Sequence, residues 1–197
     1  MSTLIKSFTK SPKYTIKWDN YFKIYEEVLK KYKNKKIKFV EVGIGDGGSL
    51  FMWKNFLGDK ARIIGIELNP VAKKWEKHGF EIFIGSQEDP NFWTKFCESV
   101  DEIDVVLDDG GHTYLQQIIT TELLLGQIKD KGMLIVEDTH TSYMSGFGDA
   151  KIGFMNYILQ TMHRINSRFG SFHPHQSPLQ IRMASTSPPS SMATSQP

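Results

Sequence analysis

Five short apolar runs, each closing on glycine, asparagine-proline or acidic residues, constrain this chain more than any other feature. They cover residues 37–42, 62–68, 80–84, 103–107 and 133–136 and are rich in β-branched and aromatic side chains. Stretches of helical character lie between them, at 49–57, 71–78, 90–99 and 114–129. Apolar runs this short, bounded by turn signals, read as strands buried on both faces. Strand and helix in alternation imply right-handed crossovers. The expected fold class is therefore α/β, a Rossmann-like, mainly parallel sheet with helices on both faces.

The two ends of the chain have a different character. Residues 1–38 carry eleven lysines against Asp19, Glu26 and Glu27, a net of +8 in a chain of overall charge +2. Tyr21, Phe22, Ile24, Tyr25, Val28, Leu29 and Tyr32 recur there at three- and four-residue spacing. That pattern predicts an amphipathic helix with lysines on its wet side. The alternative, a docking face for an anionic partner, follows from the charge alone, and a nucleic-acid partner is not expected. A further helix is expected near 151–166. Residues 169–197 hold five of the eight prolines and seven serines without one acid, a composition too poor in large aliphatics to offset its ordering entropy, so a disordered tail is expected.

Composition also excludes several classes. The single cysteine, Cys97, leaves no disulfide framework and no cysteine-based zinc site. No apolar run is long enough to span a membrane, and residues 1–17 lack the continuous apolar segment of a signal peptide. A reducing, cytoplasmic location is the resulting expectation.

In open parallel sheets, ligands bind beyond the carboxyl ends of the strands, where strand order reverses. Those ends are acidic here: Glu41, Asp46, Glu67, Glu88, Asp89, Asp108, Asp109, Glu137 and Asp138. Such a rim suits a cationic ligand, a metal ion, or both. Gly43-Ile44-Gly45-Asp46-Gly47-Gly48 satisfies G-x-G-x-x-G between a strand and a helix, and Glu67 closes the next strand, where a carboxylate can bind ribose hydroxyls. A dinucleotide and S-adenosylmethionine (SAM) both exploit such a loop. Pyrophosphate prefers bare amides at a helix N-terminus. Glu41 and Asp46 would repel it and would favour the ammonium and sulfonium groups of SAM. An NAD-dependent oxidoreductase and a non-catalytic Rossmann-like binding domain stay open as alternatives.

Asp108-Asp109-Gly110-Gly111-His112 follows the fourth run, and Glu137-Asp138 follows the fifth. Neighbouring strands lie about 4.8 Å apart, so carboxylates that end both can converge on one cation. Hard oxygen donors favour Mg²⁺, with Ca²⁺ or Mn²⁺ open. His112, three residues beyond Asp109, is near enough to act as a base.

Residues 39–49, 103–112 and 132–139, with Thr141-Ser142-Tyr143, resemble the metal-dependent macrolide sugar O-methyltransferases within the class I SAM-dependent methyltransferases. The similarity is to the mycinamicin type and, more distantly, to the macrocin type, and it covers about residues 37–145. It implies a SAM-dependent O-methyltransferase that acts on a small-molecule or glycan hydroxyl with Mg²⁺ assistance. It further implies that Asp109, Glu137 and Asp138 hold the metal and that His112 is the catalytic base. Glu41, Gly43, Ser49, Glu67 and Asp108 would line the SAM site with Gly45 of the glycine loop, and Gln87 or Glu88 would meet the adenine. The implied organisation is a basic segment with an amphipathic helix over 1–36, a SAM-binding Rossmann-like domain over 37–168, and the tail over 169–197. The family fold has seven strands, the last two an antiparallel hairpin. Only five are legible here, as though the chain were truncated or frame-shifted near its end. The run 133–136 would then be an apolar edge open to homo-oligomer formation.

Overall fold

The computed structural model describes residues 3–148 and 152–167. Its centre is a five-stranded, all-parallel sheet in the order β3-β2-β1-β4-β5, built from β1 (Lys38–Val42), β2 (Arg62–Glu67), β3 (Glu81–Ile84), β4 (Ile103–Asp108) and β5 (Ile128–Val136). This is the Rossmann-like arrangement expected. Strand order reverses between β1 and β4, which opens a crevice at their carboxyl ends. Val42 pairs in register with both Ile66 and Asp108, so the loops after β1, β2 and β4 leave the sheet at one level.

Alternate residues of the central strands bury opposite faces. Phe39, Ile63, Val105 and Leu107 pack on one side with α1 (Thr3–Thr9), α2 (Asp19–Leu29) and α3 (Gly48–Leu57), around the fully buried Trp53. Val40, Ile64, Ile66 and Val106 pack on the other with α4 (Pro90–Ser99) and α5 (Tyr114–Leu124), around Trp93 and Phe96. The side-chain period of two along a strand dictates this division.

The helix starts are encoded locally. Asp89 caps α4 by accepting from Asn91 N, with Pro90 in the first turn, where its missing N–H leaves nothing unbonded. Thr113 and Gln116 form a reciprocal capping box at the start of α5, which fixes the direction in which the chain leaves His112.

Several expectations need correction. The helical stretch over 114–129 ends at Leu124, passes through a 3-10 turn, and gives way to β5 at Ile128. Ile128 pairs with Ile103 across an irregularity in the ladder, so the polar Lys129-Asp130-Lys131 concealed the first half of an edge strand. The stretch 71–78 forms a 3-10 rather than an α-helix, and α1 is a helix that the sequence pattern does not predict. Ile24, placed on the apolar face of α2, is 55% exposed.

The chain divides into two units after Tyr157. The second contains most of α6 (Phe154–Ser167), on which Leu159, Met162 and Ile165 are exposed. The expected tail over 169–197 lies outside the described residues, and with it the question of missing strands. Among the described residues, no helix is long and apolar enough to cross a membrane.

Candidate active site

Three loops meet beyond the carboxyl edge of the sheet, held by backbone hydrogen bonds that continue the strand ladders. Gly43 N donates to Ile66 O, Asp109 N to Val42 O and Glu137 N to Asp108 O, each at 2.9 Å. The glycine loop, the Asp-Asp-Gly-Gly-His loop and the Glu-Asp pair are thereby set side by side. Two residues of the site hold left-handed backbone without being glycine, His112 at φ +59° and Asp138 at φ +51°. Such strain is costly and concentrates at functional positions. Thr141 helps to hold both, because its Oγ1 donates to His112 O and to Asp138 O at 2.9 Å.

A cleft of about 540 Å³ opens over the switch point, within the usual size range for small-molecule sites. Gly43, Gly45, Ser49, Glu67, Gln87 and Asp109 line it. Glu67 holds the loop in shape while facing the cleft. Its Oε2 accepts from Gly45 N at 3.0 Å and its Oε1 from Leu68 N and Asn69 N at 2.9 and 3.2 Å. Glu41 and Asp108 lie behind the lining. Glu41 is fully buried and accepts from Ser49 Oγ at 2.7 Å and Trp53 Nε1 at 3.0 Å. Asp108 accepts from Gln87 Nε2 at 2.8 and 2.9 Å, which orients the amide at the cleft wall. Burial pushes the Asp108 carboxyl up to about 7 and raises that of Glu41 as well. Glu88 is exposed and stands apart from the cleft lining.

At the inner end of the cleft the acids gather. One ligand atom from each of Asp109, His112 and Asp138 falls within 4.8 Å of the others. His112 Nε2 lies 3.8 Å from Asp109 Oδ1 and 3.6 Å from Asp138 Oδ2. Glu137 is engaged from the other side: Lys17 Nζ donates to it at 2.7 Å, and the Tyr25 hydroxyl also donates to it. Lys17 donates to Asp109 too, and the Tyr21 hydroxyl donates to Asp138 at 2.9 Å. Burial raises Asp109 to about 6 and Glu137 to about 7, against the lowering effect of the Lys17 charge. His112 is pushed below the usual histidine value by burial, which opposes its charged form. Its Nδ1 is buried with no hydrogen-bond partner among the described residues. Carboxylate oxygens from Asp109 and Asp138 and an imidazole nitrogen of His112 around one point fit a divalent cation.

Lys17, Tyr21 and Tyr25 carry no motif in the sequence that marks them as site residues. The sequence pattern puts the tyrosines on an apolar helix face and the lysines in solvent. Lys17 corrects that reading, since 1% of its side chain is exposed. Four-residue spacing of two tyrosines was the only available signal, because it places both phenols on one side of α2.

The sheet order, the switch-point cleft and the glycine loop are those of the Rossmann-like fold that class I SAM-dependent methyltransferases use. The chain is similar to several sugar O-methyltransferases of that class. The 8-demethyl-8-(2-methoxy-alpha-L-rhamnosyl)-tetracenomycin-C 3'-O-methyltransferase of Streptomyces olivaceus is 28% identical over 167 residues, covering 74% of this chain and 41% of that protein. Mycinamicin VI 2''-O-methyltransferase of Micromonospora griseorubida is 28% identical over 131 residues, covering 63% and 32%. The MycE methyltransferase of the mycinamycin biosynthetic pathway, solved in complex with Mg and SAH, superposes with a TM-score of 0.76 at 22% identity, over 90% of this chain and 49% of that one. The chain thus spans less than half the length of the relatives it matches. No family model matches it.

Proposed function

We propose that this chain is the methyl-transfer domain of a SAM-dependent, Mg²⁺-assisted O-methyltransferase whose acceptor is a sugar hydroxyl. One observation carries the reading: Asp109 belongs at once to the lining of the cleft and to the carboxylate cluster. A donor bound in the cleft and a cation bound in the cluster would therefore be neighbours. The printed activities of the relatives, methylation of rhamnosyl and mycinamicin hydroxyls, support the acceptor class.

When bound, SAM supplies an electrophilic methyl group and Mg²⁺ supplies the charge that makes a hydroxyl more acidic. The protein's own groups do the rest. Glu67 would accept from ribose hydroxyls, and Gln87 would meet the adenine edge. Asp109, Glu137 and Asp138 would hold the cation. His112 would take the acceptor's proton, and burial, which lowers its pKa, favours the neutral imidazole that a base requires. Replacing His112 with alanine is expected to lower turnover by about 10²-fold, the lower end of the range for a general base, with little change in cofactor affinity. Single-turnover rates set beside S-adenosylhomocysteine (SAH) binding would separate the two effects.

The decisive experiment is calorimetric titration with SAH, with and without Mg²⁺, and with NAD as the rival ligand. Binding of SAH and none of NAD is the expected result. Binding of NAD alone would move the chain to the oxidoreductases, and full methyl transfer in chelator would remove the metal from the scheme.

A further inference from the structure

Residues 10–18 join α1 to α2 without regular structure and run across the mouth of the sheet. Ser11 Oγ donates to Gly48 O at 2.8 Å. The carbonyl oxygens of Lys13 and Tyr14 come so near Gly48 that a β-carbon there would sit 2.5 and 2.3 Å from them. The strap therefore lies directly on the first turn of α3. Tyr14, Thr15 and Ile16 then form one wall of the cleft. Lys17 ends the strap by turning inward, where its ammonium reaches Asp109, Glu137 at 2.7 Å and Glu41 at 3.7 Å. An ammonium so deeply buried persists only when carboxylates surround it. Burial opposes its charge, but Glu41, Glu137 and Asp109 more than compensate, and its pKa lies above the ordinary lysine range.

We propose that Lys17 is an internal competitor of the divalent cation: it holds Asp109 and Glu137 when no metal is bound, and the metal displaces it and releases the strap that walls the cleft. The proposal rests on the metal site described under the proposed function. Two of the three carboxylates assigned to the cation are the ones that bond the ammonium. A monocation and a dication sharing those carboxylates repel strongly at such separations. Cation binding then removes the Lys17 end of the strap from its anchor, leaving the Ser11 bond to Gly48, so that metal occupancy governs one side of the cofactor cleft. Lys17 is in this sense a regulatory residue, acting through Asp109 and Glu137 rather than on the reacting atoms.

The test is calorimetric titration of Mg²⁺, in the presence of SAH, into the wild-type chain and the Lys17→Met variant, which keeps the length of the side chain and loses its charge. The variant is expected to bind Mg²⁺ at least about tenfold more tightly, because a cation no longer has to displace a bonded ammonium. Equal or weaker binding by the folded variant overturns the competition while leaving the metal site intact. Failure of both proteins to bind Mg²⁺ overturns the metal site, and this proposal with it. Should Lys17→Met not fold, tryptic cleavage of the wild-type chain after Lys13 and Lys17 decides. Faster cleavage in Mg²⁺ than in chelator is expected, and unchanged cleavage while Mg²⁺ binds overturns the proposal.

Discussion

Asp109→Asn is expected to lower methyl transfer by about 10³-fold or more, because a first-rank ligand to a catalytic cation contributes several kcal/mol of transition-state stabilisation. Asparagine keeps the size of the side chain, so the loss would report charge rather than packing. The backbone of Asp109 is fixed independently by its bond to Val42 O. Its carboxyl is pushed up to about 6, first by burial, with the Lys17 charge acting in the opposite sense. It is therefore mainly ionised at neutral pH and available to a cation. Asparagine offers one neutral carbonyl oxygen in its place and leaves Lys17 with a weaker partner. The measurements are turnover with and without Mg²⁺, Mg²⁺ affinity by calorimetry, and the unfolding temperature. A variant that unfolds at the wild-type temperature but still turns over at the wild-type rate would show that no catalytic cation sits at Asp109.

Much of this site was legible in the sequence because parallel sheets make local order predict distant order. Each of the five strands announced itself by an apolar run, and residues that follow such strands must emerge on one rim. Gly43, Asp109 and Glu137, each separated from the next by dozens of residues, could thus be assigned to one place before any coordinate was known. The rest was illegible for the same reason in reverse. Lys17 sits in a segment with no period, where nothing local distinguishes it from the ten other lysines of residues 1–38. Only the tertiary fold, which lays the strap over Gly48, turns it inward. The beginning of β5 was hidden because its residues Lys129, Asp130 and Lys131 are polar and the ladder there is irregular. Glu41 shows a subtler gap. Its place at the end of β1 was correctly read, yet position along a strand does not say whether a carboxylate faces the cleft or, as here, bonds Ser49 and Trp53 beneath it.

The second large effect is expected at Gly43. Alanine there should lower stability by about 3 kcal/mol or more, since it combines left-handed strain of about 1–2 kcal/mol with a backbone collision. Gly43 has φ +80°, and a β-carbon on it would stand 2.2 Å from Asp109 O and 2.7 Å from Gly110 Cα. Neither atom can yield as a flexible side chain would, because both belong to the loop that carries Asp109. Any relief must push the cofactor loop and the metal loop apart. SAH affinity and Mg²⁺ affinity should therefore fall together in Gly43→Ala, although residue 43 has no side chain with which to bind either. Gly45→Ala is the matched comparison. It also has positive φ, +46°, but a β-carbon there meets nothing within 4 Å among the described residues, so only the strain of about 1–2 kcal/mol is expected. Urea unfolding midpoints and the two titrations on both variants would test the contrast. If Gly43→Ala matched Gly45→Ala in all three, the close approach of the two loops would not be what joins the cofactor cleft to the carboxylate cluster.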